Sequence, residues 1–431
     1  MEFTWARNTE ITAGDIPELT EKLIFGDIFN KPIGPNVLPS SLKSIVFGWN
    51  FNQPIGENIL PGTSRYDTYE CEIEQNPLHN SLEIIVFGHN FNQPIGENVL
   101  PNSLEYIAFG YTFNQPFGDN VLPNSLKIIE FGCYFNHPIG LNTLPNSLKS
   151  INFGCVFNQS IEPNVLPDSL KSIEFGYNYN QVIGPNVLPS SLKTIRFVYE
   201  YNQVIGENVL PESLESIRLG HIYNHEINEN ILPKSLKSIY FGRDFNQPIG
   251  KNVLPDSLEI IKFQNEFNQP IGENVLPNSL KIIRFGYGFN QPINENVLPD
   301  SLEYISFGGQ YNHSISALYD LNHLEHISLY TKNYIEVDVG CLPSSLKYLR
   351  THNTDIALSL NPESQRMWFS VIYSGSREFL DITYSILRRS AYPHIENYEV
   401  IGTEMIGRKK YDRLINPERY QHRSNAKSAR K

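Results

Sequence analysis

The sequence predicts a repeat solenoid that is mainly β, with one short parallel strand in each 22-residue coil and a small, partly helical C-terminal cap. A Phe-Asn or Tyr-Asn pair recurs thirteen times, at intervals of 22 residues with one exception. An L-x-x-I-x-F segment recurs in the same phase from Leu42 to Leu329. Most units hold two prolines, which leave no room for a helix on the return path. The pairs begin at residues 29, 51, 91, 113, 135, 157, 179, 201, 223, 245, 267, 289 and 311.

The strand of each coil is expected in the I-x-F part, where apolar residues alternate with a variable one. Repetition every 22 residues would stack these strands in parallel, over an array that spans residues 1–351. The Gly that follows the strand is expected to adopt a φ that side chains resist, and so to make a sharp bend.

Two asparagines in each unit are interpreted as structural. The Asn of the Phe/Tyr-Asn pair can bond backbone groups left unpaired at a turn, and stacked copies would form a ladder. The Asn before V-L-P, as at Asn58, Asn98 and Asn120, is a candidate for a second ladder.

Three segments depart from the repeat. Residues 62–79 are polar and acidic and are expected to form an insertion loop. Residues 352–407 are predicted to cap the last coil, because a solenoid end exposes an unpaired strand edge. Residues 408–431 carry nine Lys or Arg against two acids, which predicts a mobile basic tail.

The helical part of the cap is predicted within the run "NPESQRMWFSVIY". Asn361 would be the N-cap and Pro362 the first helical residue, with Met367, Trp368, Val371 and Ile372 on one face. A second amphipathic stretch follows at residues 379–387.

The L-x-x-I-x-F segment with its downstream Asn resembles the strand motif of leucine-rich repeats. The Phe/Tyr-Asn-x-Pro-Ile motif resembles that of the FNIP repeat family, which is known from social amoebae and giant viruses of amoebae. This resemblance implies a leucine-rich-repeat-like, right-handed superhelix that serves protein interaction. Some viral members carry an N-terminal F-box that would link a target to a ubiquitin ligase. Because the repeats begin almost at Met1, we do not expect that adaptor role here.

Composition favours an intracellular protein, expected in the cytoplasm, or in the host cytoplasm if the chain is viral. The N-terminus has no basic segment followed by an apolar run. The sequence also contains no stretch of about 18 apolar residues, the length needed to span a bilayer, so no membrane partner is expected. Four cysteines do not make a disulfide framework. Cys133 and Cys155 should lie side by side on adjacent coils, and we expect them to be free thiols in a reducing compartment.

Catalytic signatures are missing from the sequence: there is no G-x-x-x-x-G-K-[ST], H-E-x-x-H, G-x-S-x-G or C-x-x-C. His221 and His225 lie four apart, but in a strand-to-turn segment, where the helical argument for a zinc pair fails. The sequence therefore predicts a non-enzymatic protein with no catalytic residue, no metal ligand and no cofactor.

Variable columns on the strands are the candidate binding surface, because stacking fixes the other columns. The column between Ile and Phe changes from apolar through acidic to basic along the array. Arg and Tyr, which are enriched in interface hot spots, cluster in its later part and in the column just beyond the Gly. The candidate residues are Arg196, Arg218, Tyr240, Lys262 and Arg284, with Tyr199, His221, Arg243 and Tyr287 in the second column.

The predicted partner of this monomeric scaffold is an unidentified protein, acidic or phosphorylated, because Arg binds carboxylate and phosphate bidentately. A solvated face without a partner remains an alternative. A second alternative is a nucleic-acid-associated or nuclear protein that uses residues 408–431, although the net charge of −12 argues against phosphate-backbone binding by the whole chain.

A third column alternates in charge, as Lys193, Glu215, Lys237, Glu259, Lys281 and Glu303. We interpret it as coil-to-coil ion pairing rather than a binding site.

Overall fold

The structure is a computed structural model that describes residues 1–62, 81–330, 342–343 and 345–350, and the backbone of residues 351, 354–360, 367–373 and 398–401. The insertion at 62–79, except residue 62, lies outside the described residues. The stretch at 379–387 and the tail at 408–431 also lie outside them.

The described residues form nineteen strands and a short 3-10 helix at Ser316–Leu318. In chain order, the strands are β1 Glu2–Trp5, β2 Lys22–Phe25, β3 Ser44–Val46, β4 Ile84–Val86, β5 Tyr106–Ala108, β6 Ile128–Glu130, β7 Ser150–Asn152, β8 Ser172–Glu174, β9 Thr194–Arg196, β10 Ser216–Arg218, β11 Ser238–Tyr240, β12 Ile260–Lys262, β13 Ile282–Arg284, β14 Tyr304–Phe307, β15 His326–Leu329, β16 Tyr348–Thr351, β17 Thr354–Leu360, β18 Met367–Tyr373 and β19 Tyr398–Ile401.

Strands β1 to β16 pair in parallel, each with the next, in one sheet. The register is residue for residue, so that Ile217 pairs with Ile239 one coil later. The insertion does not disturb it, because Ile45 pairs with Ile85 across the 40-residue interval. The predicted solenoid with one short strand per coil is confirmed.

The core is a set of stacked columns of identical side chains. Leu42 and Ile45 are fully buried, as are their equivalents in the following coils. The strand-end Phe and the Phe of the Phe-Asn pair form two ring columns, with Phe47 stacked on Phe51 within a coil at 4.3 Å and on Phe87 of the next coil at 5.3 Å. Each coil therefore buries its apolar residues mainly against its two neighbours, as in other repeat solenoids.

The Gly after each strand is required by close backbone approach, not by its φ, so the predicted reason was wrong. Among the described glycines, positive φ occurs only at Gly14 and Gly62. A Cβ on Gly88 would lie 1.8 Å from the carbonyl oxygen of Gly48, and one on Gly110 would lie 1.7 Å from that of Gly88. The coils pack too closely at this column for a side chain on an undisturbed backbone.

The Asn of each Phe/Tyr-Asn pair forms the predicted ladder. The backbone N–H of Asn202 donates to Oδ1 of Asn180 at 2.9 Å, and that of Asn180 donates to Oδ1 of Asn158 at 2.9 Å. The following Gln reinforces the ladder, since Nε2 of Gln203 donates to the same Oδ1 of Asn180 at 3.0 Å. The ladder runs from Asn8 to Asn312.

The second asparagine of each unit has a different role from the predicted ladder. Twelve of these residues, including Asn58, Asn98 and Asn120, have φ between 57° and 66°. This left-handed conformation costs other L-residues about 1 kcal/mol or more, whereas Asn adopts it more readily. They are selected for backbone conformation.

We therefore expect Asn120→Ala to lower the free energy of unfolding by about 1 kcal/mol, because Ala resists the φ of 58° at this position. Asn120→Gly should leave stability within about 0.5 kcal/mol of the wild type, since Gly adopts positive φ freely. Urea denaturation midpoints of the two variants provide the measurement. Equal losses would show that the Asn side chain, rather than its φ, matters here.

Serine supplies a further ladder that sequence analysis did not identify. Oγ of Ser103 donates to the carbonyl of Leu82 at 2.8 Å, and Oγ of Ser213 donates to that of Leu192 at 2.6 Å. The recurrence of Ser before each Leu was the available signal.

The column of alternating charge forms ion pairs between coils, such as that of Lys193 with Glu215 at 2.8 Å.

The segment that was predicted to cap the last coil contains strands where the sequence analysis predicted a helix. Strand β17 pairs antiparallel with β16 and with β18, and β18 pairs in parallel with β19. Met367, Trp368, Val371 and Ile372 lie in β18, so the predicted helix is wrong at these residues. The run M-W-F-S-V-I-Y is rich in aromatic and β-branched residues, and β17 offers it an open strand edge to pair with.

Candidate interaction surface

The five strand-column candidates lie side by side in one row. In-register pairing joins Arg196 to Arg218, Arg218 to Tyr240, Tyr240 to Lys262 and Lys262 to Arg284. These residues occupy the last position of β9 to β13, and their side chains are partly or fully exposed. The row exists because a 22-residue spacing in sequence becomes a neighbour relation in the sheet.

Aromatic rings support the cations of this row. The ring of Tyr240 has the guanidinium carbon of Arg218 at 5.9 Å and Nζ of Lys262 at 4.8 Å from its centroid. The guanidinium carbon of Arg284 lies 4.8 Å from the centroid of Tyr304. Sequence analysis did not identify Tyr304, which lies on the next strand, at the start of β14. Such contacts restrain long side chains and leave their hydrogen-bond donors available.

The cations of the row differ in whether a carboxylate neutralises them. Arg196 forms an ion pair with Glu174 at 3.2 Å. Arg218, Lys262 and Arg284 have no carboxylate within ion-pair distance in the described part of the chain. Burial, followed by the positive charges of Arg284 and Arg218, lowers the pKa of Lys262 below its ordinary value. We call Arg218, Tyr240, Lys262 and Arg284 the basic cluster.

The second candidate column lies three residues beyond the row. Tyr199 stacks on Tyr177 with ring centroids 4.4 Å apart and lies 5.1 Å from the ring of His221. Arg243 approaches the carboxylate of Asp244 at 3.9 Å. Tyr287 is 48% exposed. The column borders the basic cluster with aromatic surface, and its one Arg is partly neutralised.

An aromatic stack in the same column of earlier coils was also missed. The ring of His89 lies between Trp49 at 4.0 Å and Tyr111 at 4.8 Å. Trp49 and Tyr111 are 53% and 44% exposed. The signal was present in the sequence, because these residues share the phase of Tyr177 and Tyr199.

Cys133 and Cys155 are free, as predicted. Burial raises the pKa of the Cys155 thiol to about 11, and the neighbouring Cys133 thiol contributes. No group of three or more His, Cys, Asp or Glu side chains that could hold a metal ion occurs within the described residues. Nor does any helix in the described ranges have the length and apolar character needed to cross a membrane.

Together, the in-register parallel sheet, the ladders and the stacked core define a leucine-rich-repeat-like β-solenoid. The model of the FNIP repeat matches nine stretches, some of them overlapping, that cover well over half of the sequence, so the chain belongs to the FNIP repeat family. The matched residues are 8–48, 29–66, 69–112, 113–156, 157–200, 179–221, 201–244, 223–266 and 267–310.

Among solved structures, the chain is similar to CroV588 from a giant virus, described as a novel circular LRR protein, with 45% identity and a TM-score of 0.70. The similarity covers 81% of this chain and 55% of CroV588, so the chain spans about half the length of that protein.

Two weaker likenesses are to a chain of the Drosophila Toll–Spatzle complex and to a leucine-rich repeat protein from Bacteroides ovatus. The first has 14% identity, a TM-score of 0.49 and coverage of 77% of this chain and 50% of the other. The second has 15% identity, a TM-score of 0.15 and coverage of 77% and 74%. Neither is close enough to bear on function. No curated protein matches the chain significantly.

Proposed function

We propose that this chain is a non-enzymatic scaffold that binds an acidic or phosphorylated segment of a partner protein at the basic cluster. The observation that carries the proposal is the set of three cations, Arg218, Lys262 and Arg284, without a carboxylate partner among the described residues. Arg196, Tyr199, His221, Arg243 and Tyr287 form the border of this surface. The free thiols of Cys133 and Cys155 support a reducing, cytoplasmic setting.

The electrostatics favour an anionic ligand. The pKa of Lys262 is lowered first by burial and then by the positive charges of Arg284 and Arg218, which repel its ammonium group. An anion placed over the cluster would remove that repulsion and raise the pKa of Lys262 again. Arg218 and Arg284 can each bind a carboxylate or a phosphate with two parallel hydrogen bonds.

The dimensions of the cluster indicate the length of the bound segment. Arg218 and Arg284 are three strands apart, which at about 4.8 Å per strand is about 14 Å. An extended peptide rises about 3.3 Å per residue, so about five residues would cover the cluster. Carboxylates or phosphates four residues apart in such a segment lie on the same side and about 13 Å apart, so they could contact Arg218 and Arg284.

We expect the double variant Arg218→Glu, Lys262→Glu to lose its partner proteins without a change in melting temperature, because both side chains are solvent-accessible. The double variant Lys149→Glu, Lys171→Glu is the matched control. It makes the same change in net charge at two exposed positions outside the cluster. Affinity purification from the native cell followed by mass spectrometry compares the two partner lists.

Two results would contradict the proposal. One is a partner list of the cluster variant that matches the wild type, and the other is an equal loss in the lysine control. Removal of residues 408–431 addresses the nucleic-acid alternative. The proposed scaffold keeps its partners after this truncation, whereas a protein anchored by the basic tail would lose them.

A further inference from the structure

An open groove of about 630 Å³ runs across the first coils, far from the basic cluster. The ladder residues Asn30, Asn52 and Asn92 line it, and we call them its floor; Asn50, Asn90 and Thr112 also line it, and we call them its side. All residues that line the groove are uncharged. Its volume lies within the range of about 300–1,000 Å³ typical of ligand sites.

The ladder fixes the orientation of the carboxamides in the floor. Oδ1 of Asn30 accepts the backbone N–H of Asn52 at 3.0 Å, and Oδ1 of Asn52 accepts that of Asn92 at 2.9 Å. A backbone N–H can only donate, so the bonded atom must be the oxygen. The Nδ2 groups of Asn30 and Asn52 have no hydrogen-bond partner among the described residues, which leaves them as donors for a ligand.

The side of the groove adds further donors. Nδ2 of Asn90 bonds Oδ1 of Asn50 at 3.0 Å, which leaves Nδ2 of Asn50 without a partner in the described part of the chain. Oγ1 of Thr112 donates to the carbonyl of His89 at 3.0 Å, so its lone pairs remain open. The groove therefore presents amide donors and a hydroxyl, without formal charge, to a ligand rich in acceptors.

The spacing of the donors favours one of two neutral ligands, an extended peptide or a β-linked sugar chain. Successive ladder residues are one coil apart, about 4.8 Å. Carbonyl groups on one side of an extended peptide recur every two residues, at about 6.6 Å, and lose register with the ladder after one coil. An extended β-linked hexose chain rises by a distance close to the coil spacing per sugar. Each sugar also presents oxygen acceptors at both edges, so one sugar can face each coil.

Trp49 offers an apolar contact next to this groove. Its ring stacks on His89 at 4.0 Å, and no other described aromatic ring contacts it, because the preceding coil has Asp27 at this position. The exposed edge of the indole adds apolar surface beside the groove, as amphipathic aromatic side chains do at binding sites.

The geometry points to a binding site for a neutral, extended β-linked oligosaccharide in this groove. The ladder carboxamides donate to its hydroxyl oxygens, one sugar per coil, and the edge of the Trp49 ring borders the chain. This site is separate from the basic cluster. Binding of a protein partner at the basic cluster neither requires nor excludes binding of an oligosaccharide in the groove.

The test is isothermal titration calorimetry of the full chain with cellohexaose, chitohexaose, maltohexaose and an uncharged Gly-Ser hexapeptide. We expect at least one of the two β-linked hexaoses to bind, and the curved, α-linked maltohexaose and the peptide to bind at least about tenfold more weakly, since they lose hydrogen bonds with the ladder.

Two variants fill the groove: Asn50→Tyr and Thr112→Tyr. Tyrosine is compatible with this column, because Tyr134 occupies it in a later coil. Each variant should weaken binding of the β-linked hexaose at least about tenfold while the melting temperature stays unchanged. Asn178→Tyr places the same residue in the same column outside the groove and should bind like the wild type.

Three outcomes would overturn the inference. The first is no binding of either β-linked hexaose to the wild type. The second is equal or tighter binding of maltohexaose or the peptide. The third is full binding in both groove-filling variants, or an equal loss in Asn178→Tyr.

Discussion

Gly110→Ala is expected to lower the free energy of unfolding on the order of 3 kcal/mol, because the new Cβ would lie 1.7 Å from the carbonyl oxygen of Gly88. The atom that it meets belongs to the backbone, which cannot rotate away as a flexible side chain could. Either Gly110 or the preceding coil must shift, and the hydrogen bond from Phe113 N–H to the carbonyl of Gly110 would be strained as well.

Gly96→Ala is the matched control for this prediction. A Cβ at Gly96 would meet only Cγ2 of Val99 at 3.8 Å, which is ordinary contact, and its φ is not positive. We expect no loss and a gain of up to about 1 kcal/mol, because Ala restricts the unfolded chain. Urea denaturation midpoints measure both variants, and equal midpoints would contradict the close-approach explanation.

Natural exceptions in this column include Val198 and Gln264. After Val198, a Cβ on Gly220 would approach the carbonyl oxygens of Tyr201 at 2.7 Å and Tyr199 at 2.9 Å, instead of that of residue 198. The stacking of this coil pair differs from that of its neighbours. The coil pair after Gln264 keeps the usual close approach, since a Cβ on Gly286 would still meet the carbonyl oxygen of Gln264.

Asn180→Ala is expected to lower the free energy of unfolding by about 1–3 kcal/mol. Oδ1 of Asn180 accepts the backbone N–H of Asn202 at 2.9 Å and Nε2 of Gln203 at 3.0 Å. Alanine removes this acceptor and leaves a part-buried backbone N–H without its partner. The loss is largest when water cannot replace the missing oxygen.

Two further variants control the ladder prediction. Asn178→Ala changes an exposed Asn two residues away and should leave the midpoint of denaturation unchanged. Asn180→Asp keeps an oxygen acceptor at the ladder position and should retain more stability than Asn180→Ala at neutral pH. If Asn180→Ala and Asn178→Ala have the same midpoint as the wild type, the ladder does not stabilise the solenoid.

Much of the fold could be predicted because one period determines it. A strand that repeats every 22 residues can bury its Leu, Ile and Phe only against the next coil, so register follows from the spacing. The sequence could not predict why Gly and the second Asn recur in each unit, because both residue types permit positive φ. Only the structure distinguishes close backbone approach at Gly88 from a left-handed φ at Asn98.

The helix predicted at residues 367–372 was wrong because a short apolar run has no clear period. Met367, Trp368, Val371 and Ile372 fit one face of a helix, but the complete run also fits a strand that is buried on both faces. The open edge of the sheet at β17, a tertiary feature, favours the strand.

Part of the candidate surface could be predicted as well. Arg218, Tyr240 and Lys262 share one column, and a parallel in-register sheet makes them neighbours. The ion pair between Arg196 and Glu174 and the contact between Arg284 and Tyr304 depend on side-chain reach, which spacing does not define. The groove across the first coils was missed because several of its donors belong to ladder residues. The ladder explains why these Asn residues recur, but it uses only the side-chain oxygen and not Nδ2.

The most direct test of the proposed scaffold is photo-crosslinking from the basic cluster. A benzophenone amino acid replaces Tyr240 in one variant and Val182, which is 68% exposed and lies outside the sheet, in another. After irradiation in the native cell, mass spectrometry identifies the attached peptides. The account predicts crosslinks from position 240 to a partner segment rich in Asp, Glu or phosphorylated residues, and none to that segment from position 182. Crosslinks from position 182 alone, or from position 240 only to basic or uncharged segments, would contradict it.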